Sequence, residues 1–272
     1  MRCATNEAMI LVLAHHHDAE ADWLLKALRR HGAAVLFLCP EALGVDYAVT
    51  LSLRNDGQHA SEFAFFDATI GRITSDRISY AVNRLGFIDP LVWRSAQEGE
   101  RTYASSEINA FFPALIESLR CRIDSPVLHG ALWVDSGFAL RWAARLRAHG
   151  VAVHRSMMGE PAEASEMLMA SDPTCLRRWL WFEREVFAPS GQPPVPIDMA
   201  RVLRMLAPRQ TLEIVCVQGT DPSDLQLLHV SRSPALSCYG QSFVRALTTH
   251  AKGLFDDHPD GHPERAALAP AV

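Results

Sequence analysis

The run Met-Ile-Leu-Val-Leu-Ala at residues 9–14 restricts the fold more than any other feature of this chain. An unbroken apolar run leaves a strand no polar side, so both faces must be covered, as in a parallel sheet layered between helices. Asp18 follows and can cap a helix whose apolar positions Trp23, Leu24, Ala27 and Leu28 share one side. Gly32 stops that helix and residues 35–38 supply a second apolar strand. Strand, helix and strand in this order predict a βαβ opening to an open α/β sheet, whose ligands sit at the carboxyl ends of its strands.

Farther along, residues 49–53 and 62–66 flank Asn55, Asp56 and Gly57 and predict an antiparallel hairpin, followed by a strand over 78–82. Ile108, Phe111, Phe112, Leu115, Ile116 and Leu119 have helical spacing within 103–119. A strand at 127–128, a helix over 138–149 closed by Gly150, and a strand at 151–153 continue the alternation. In 177–187, Trp179, Trp181, Glu183 and Glu185 alternate with Leu180, Phe182, Arg184 and Val186, predicting one long, half-exposed strand. The proline-rich stretch 188–196 reads as a loop. A helix over 198–206, strands at 212–217 and 225–230 around a turn with Asp221 and Asp224, and a helix over 241–255 complete the order. The expected architecture is α/β: an open, mostly parallel sheet over 1–125, a smaller α+β lobe over 126–255, and a disordered tail over 256–272.

A net charge of -5 over 272 residues argues against a nucleic-acid partner, which calls for clustered basic charge. No apolar run approaches the roughly 20 residues of a membrane span, so neither membrane insertion nor secretion is expected and the chain reads as cytoplasmic. The six cysteines form no C-x-x-C pair and read as buried apolar residues. Lys26 and Lys252 are the only lysines, so between them no ammonium can hold a phosphate.

Several residues could carry chemistry. His15, His16, His17 and Asp18 end the first strand. Adjacent residues there point apart and suit a shared ion poorly, so no metal site is expected; substrate contact by His15, or a plain turn with Asp18 as helix cap, are the other readings. Asn83 and Arg84 end another strand, where Arg84 could hold a carboxylate or phosphate bidentately or pair with Glu107 or Asp89. Glu183 and Glu185 could bind magnesium, or form a solvated face beside Arg178 or Arg204.

Three stretches resemble the ATP-grasp proteins related to ribosomal-peptide maturases and glutathione-synthetase-like ligases. These are ISYAVNRL at 78–85, leading to a helix through Tyr103, Ala104, Ser105, Ser106 and Glu107 that ends before Pro126, Val127 and Leu128; the stretch 177–187; and LLHVSRSPALSCYG at 227–240. The resemblance implies a pre-ATP-grasp domain followed by a shortened, degenerate ATP-grasp domain. Members of that family clamp magnesium ATP, phosphorylate a carboxylate and let an amine or thiol attack the acyl phosphate. Their last catalytic strand commonly reads acidic, apolar, Asn, with the acid and the amide on magnesium. The matching positions here are His229, Val230 and Ser231.

The expectation is therefore a binding or partner subunit in peptide or small-molecule biosynthesis, without independent ligation and without a cofactor. Its partner would be a peptide or protein, such as a full-length ligase or a second copy, or else a small-molecule ligand, and Arg84, Trp179, Trp181 and His15 would contact it. The alternatives are an active ATP-dependent carboxylate–amine ligase using magnesium ATP at a site rebuilt from Glu183, Glu185, His229 and Ser231, and a metal-dependent enzyme centred on His15 to Asp18.

Overall fold

The computed structural model describes residues 8–53, 59–86, 88, 95–119, 121–124, 138–158, 175–207, 211–219 and 224–257. These divide into two compact units. One takes the described residues up to 124 together with those from Val244 onward, and the other takes 138–243. The sequence assigned 126–255 to the second lobe; the closing helix instead straddles the division. The strand expected at 127–128 and most of the tail lie outside the described residues.

The first unit opens as its apolar pattern dictates. β1 (Met9–Leu13) pairs in parallel with β2 (Ala34–Leu38) on one side and β6 (Ile78–Asn83) on the other, and β6 pairs in parallel with β7 (Arg122–Ile123), giving the order β2-β1-β6-β7. Residues 10–13 of β1 are all buried, the double coverage that an all-apolar strand requires. The helix α1 (Ala19–Arg30) starts at Asp18, whose Oδ1 accepts from the amides of Glu20 at 3.0 Å and Ala21 at 3.1 Å.

A second sheet, antiparallel, contains the predicted hairpin: β3 (Tyr47–Leu53), β4 (His59–Phe65) and the short β5 (Arg72–Thr74), in that order. Tyr47, Phe63 and Ile73 carry its inner face into the same core as Leu11, Leu38 and Ala81. The helix α2 (Glu98–Ser118) begins five residues before the expected start and buries Phe112, Leu115 and Ile116 there.

The second unit is built on an antiparallel sheet in the order β11-β10-β8-β9: β8 (Leu176–Phe182), β9 (Glu185–Phe187), β10 (Leu212–Gln218) and β11 (Leu225–Ser231). The helices α3 (Phe138–Ala148) and α4 (Ile197–Leu206) cover one face. The helix α5 (Gly240–Asp257) follows a 3-10 turn at Leu236–Tyr239. Only an isolated bridge, Val153 to Leu227, stands where a strand at 151–153 was expected.

The long strand predicted over 177–187 is a hairpin. Glu183 and Arg184 adopt positive φ angles of 44° and 73°, and Phe182 pairs with Glu185, Trp181 with Val186 and Leu180 with Phe187. Such angles at both central residues make a two-residue turn that matches strand twist. The half-exposed reading also fails: Trp179 and Trp181 are 1% and 0% exposed, and the strand's other face is largely buried as well.

Candidate functional site

Each unit holds a constellation of charged side chains among its described residues. In the first, the carboxyl ends of β1 and β6 bring Asp18 and Arg84 together: Arg84 Nε donates to Asp18 Oδ2 at 2.7 Å, with side chains 10% and 18% exposed. Asp18 therefore serves as helix cap and as the guanidinium's partner. Burial acts to raise its carboxyl, but Arg84 and the two amides outweigh it and hold the group below the usual carboxylate range. Of the partners the sequence offered Arg84, Asp89 lies outside the described residues.

His15 is held by Glu41, Nδ1 to Oε1 at 2.7 Å, whereas His16 and His17 are exposed and touch each other edge-on. The three imidazoles do not converge. Among the described residues, no three His, Cys, Asp or Glu side chains gather as metal ligands.

The second constellation lies on the face of the antiparallel sheet opposite α3 and α4. Cross-strand register sets Val215 between Arg178 on β8 and His229 on β11, and Glu213 between Leu180 and Ser231. Residues directly opposite share a face, so Arg178, Glu213, His229 and Ser231 form one polar group. Glu213 is 4% exposed and is the only Asp, Glu, Lys or Arg in the buried class among the described residues. The Tyr239 hydroxyl, brought over by the 3-10 turn before α5, donates to Glu213 Oε1 at 2.8 Å, and Arg178 Nη1 lies 3.6 Å from the same oxygen.

Burial pushes the Tyr239 phenol far above its ordinary range, and the Glu213 charge adds to that, so it stays a neutral donor. Burial lowers the His229 imidazole; Glu213 opposes the shift and Arg178 reinforces it. The group thus sets the Glu213 carboxyl and the Arg178 guanidinium beside an imidazole that burial disposes to stay neutral and a phenol that stays neutral. Arg178 keeps 29% side-chain exposure and can meet an anion.

The structure separates the remaining sequence candidates. Trp179 and Trp181 lie in the core with Phe138, Trp142, Met199 and Leu203, their indole N–H groups donating to the carbonyls of Pro193 and Ala207. They line no open surface, because the two helices and the proline-rich loop supply their cover. Glu183 occupies the hairpin turn, and Glu185 stands on the three-residue β9, so neither adjoins His229 in the register. Ser231 Oγ accepts from the Ser233 amide at 3.0 Å. Cys238, expected buried, is exposed.

Sequence reasoning passed over Glu213 and Tyr239 and gave Arg178 only as a partner for Glu183 and Glu185. A signal for Glu213 was present: it is the sole charge in the strand LEIVCVQ. An acid inside an apolar strand costs several kcal/mol unless partners satisfy it, which marks the position.

No protein-family model matches this chain, and no curated protein matches it. Solved structures do. A peptide-associated (RiPP) ATP-grasp ligase from Chryseobacterium gregarium, in complex with ADP and a leader and core peptide, superposes with a TM-score of 0.62 at 11% identity, over 94% of this chain and 99% of that one. The macrocyclase MdnC from Microcystis aeruginosa, bound with precursor peptide MdnA, matches with 0.62 at 12% identity, over 89% and 99%. The ATP-grasp ligase PsnB, complexed with a minimal precursor, magnesium and ADP, matches with 0.57 at 12% identity, over 89% and 97%. The chain has the fold of the ATP-grasp ligases.

Proposed function

We propose that this chain is a peptide-binding member of a peptide-modification system that does not ligate with ATP by itself. Solved proteins of the same fold are described with leader, core or precursor peptides, which supports a peptide as the partner. The observation that carries the second half is the donor set around Glu213. PsnB is described with magnesium and ADP, and magnesium takes hard oxygen ligands, one or two of them carboxylates. Among the described residues Glu213 is the one buried carboxylate, its Oε1 already facing the Tyr239 hydroxyl and the Arg178 guanidinium. His229 and Ser231 hold the positions across β10. A cation placed there meets Arg178, so the donors do not fit a magnesium nucleotide. The lack of lysine between Lys26 and Lys252 points the same way.

Two measurements on the purified chain test the two halves. Calorimetric titration with magnesium ATP is expected to show no strong binding; a dissociation constant in the low micromolar range, about -8 kcal/mol, would overturn the non-ligating reading in favour of a rebuilt ligase site. A display selection from a random peptide library on the immobilised chain is expected to enrich a consensus. Failure to enrich any sequence counts against the peptide partner.

A further inference from the structure

The proline-rich strap between β9 and α4 is exposed with a period of three residues. Gln192 and Val195 are half-buried, whereas Pro193, Pro194, Pro196 and Ile197 are exposed, Ile197 at 83%. That period belongs to the polyproline II helix, which repeats every three residues and rises about 3.1 Å for each. The residues dictate the conformation, because a proline ring fixes its own φ at about -65° and keeps the residue before it out of the α region. Every position from 192 to 196 is either a proline or precedes one. Pro196 shows the result directly, with φ -56° and ψ 138°.

One side of this three-sided rod is fastened to the second unit. Gln192 Oε1 accepts from the Arg178 amide at 2.8 Å, the Pro193 carbonyl accepts from the Trp179 indole at 3.0 Å, and Val195 packs against the core that holds Trp179. The other two sides face outward, one formed by Pro193 and Pro196 and one by Pro194 and Ile197. Both are wholly apolar. Ile197 also opens the outer side of α4, where Arg201, Arg204 and Met205 follow at helical spacing and are exposed. Arg201 pairs with Asp198, but an ion pair so exposed is worth little and leaves the guanidinium able to meet another carboxylate.

Prolines lack the amide that a β-ladder needs, so a partner must read the strap by its rings and not by adding a strand. A convex rod calls for a concave receptor, which a folded domain supplies and a short peptide does not. Grooves lined with aromatic rings take such rods, and they gain because the rod is ordered before it binds. We infer that the strap is a docking ridge for a second protein, whose aromatic groove receives the pairs Pro193 with Pro196 and Pro194 with Ile197, and whose carboxylates face Arg201 and Arg204. This partner is distinct from the peptide proposed above.

The test is a phage-displayed library on a WW-domain scaffold, with the groove aromatics kept and the loops randomised, selected on the immobilised full chain. Enriched clones are expected to carry Asp or Glu in a loop and to bind Pro194→Ser and Ile197→Ser about tenfold more weakly than the parent chain. Both side chains are exposed, so the two variants should melt with the parent. Should Pro194→Ser loosen the strap, Ile197→Ser keeps all three prolines and still decides. Changing a groove tryptophan of a clone to alanine should abolish its binding. Absence of enrichment overturns the proposal, as do clones that bind Ile197→Ser as tightly as the parent or that survive loss of the groove tryptophan. If a peptide enriched from the random library displaces the clones, the ridge belongs to the peptide site and docking of a second protein is overturned.

Discussion

The Tyr239 hydroxyl donates a 2.8 Å hydrogen bond to Glu213 Oε1, with both residues almost fully buried. A neutral phenol thereby secures the one Asp or Glu side chain that is buried among the described residues. Changing Tyr239 to Phe removes the donor but leaves the charge, so it should destabilise the fold by about 1–3 kcal/mol in urea unfolding. Because burial raises the folded phenol above its unfolded value, its contribution is present below about pH 10 and is lost as pH rises beyond that. The Phe variant should show a shallower alkaline decline than the parent; equal slopes would mean that Tyr239 is not held neutral by the fold.

His229 titrates in the opposite sense. Its folded imidazole is lowered, chiefly by burial, so the unfolded chain binds the proton more readily. The stability it contributes is present above about pH 6.5 and falls as the solution is acidified through the lowered value. Comparing unfolding near neutrality and near pH 5 should show a larger acid loss for the parent chain than for His229→Gln.

Trp181 lies at 0% exposure and donates its indole N–H to the Ala207 carbonyl. Trp181→Ala should cost about 3–5 kcal/mol, through lost apolar burial and an unmade hydrogen bond. A stable Ala variant with weakened association would restore the surface role that the sequence suggested.

Asp18 has two duties that substitution can separate. Asp18→Ser keeps a side-chain cap for α1 but not the ion pair with Arg84, whereas Asp18→Ala loses both. The difference between the two variants should be about 1 kcal/mol, the usual worth of a cap. Since the folded carboxyl is lowered, the ion-paired contribution is present above the ordinary carboxylate range and is lost as pH falls from there through the lowered value.

At the β8–β9 turn, Glu183 and Arg184 hold a backbone that glycine and asparagine adopt with less strain. The double change Glu183→Asn, Arg184→Gly should raise the melting temperature slightly, by up to about 1 kcal/mol of stability.

By itself the sequence determined the elements whose signal is local. The apolar 9–14 run, the Asp18 cap and the Gly32 stop made β1, α1 and β2, because coverage of both strand faces and satisfaction of helix-end amides are written in adjacent residues. The spacing of 103–119 likewise gave the buried side of α2, and the hairpin of β3 and β4 was visible in its alternation.

The β8–β9 hairpin was hidden because a two-residue turn keeps the period of two running through it, so 177–187 reads the same whether straight or folded back. Its turn also lacks the Asn-Gly signal. Whether Trp179 and Trp181 met solvent depended on α3 and α4, remote in sequence. The site was decided last: Arg178, Glu213, His229 and Tyr239 come from β8, β10, β11 and the turn before α5, and only the sheet register and that turn bring them together. A carboxylate inside an apolar strand can be noticed in a sequence, but the phenol and guanidinium that stabilise it are found only once the chain has folded.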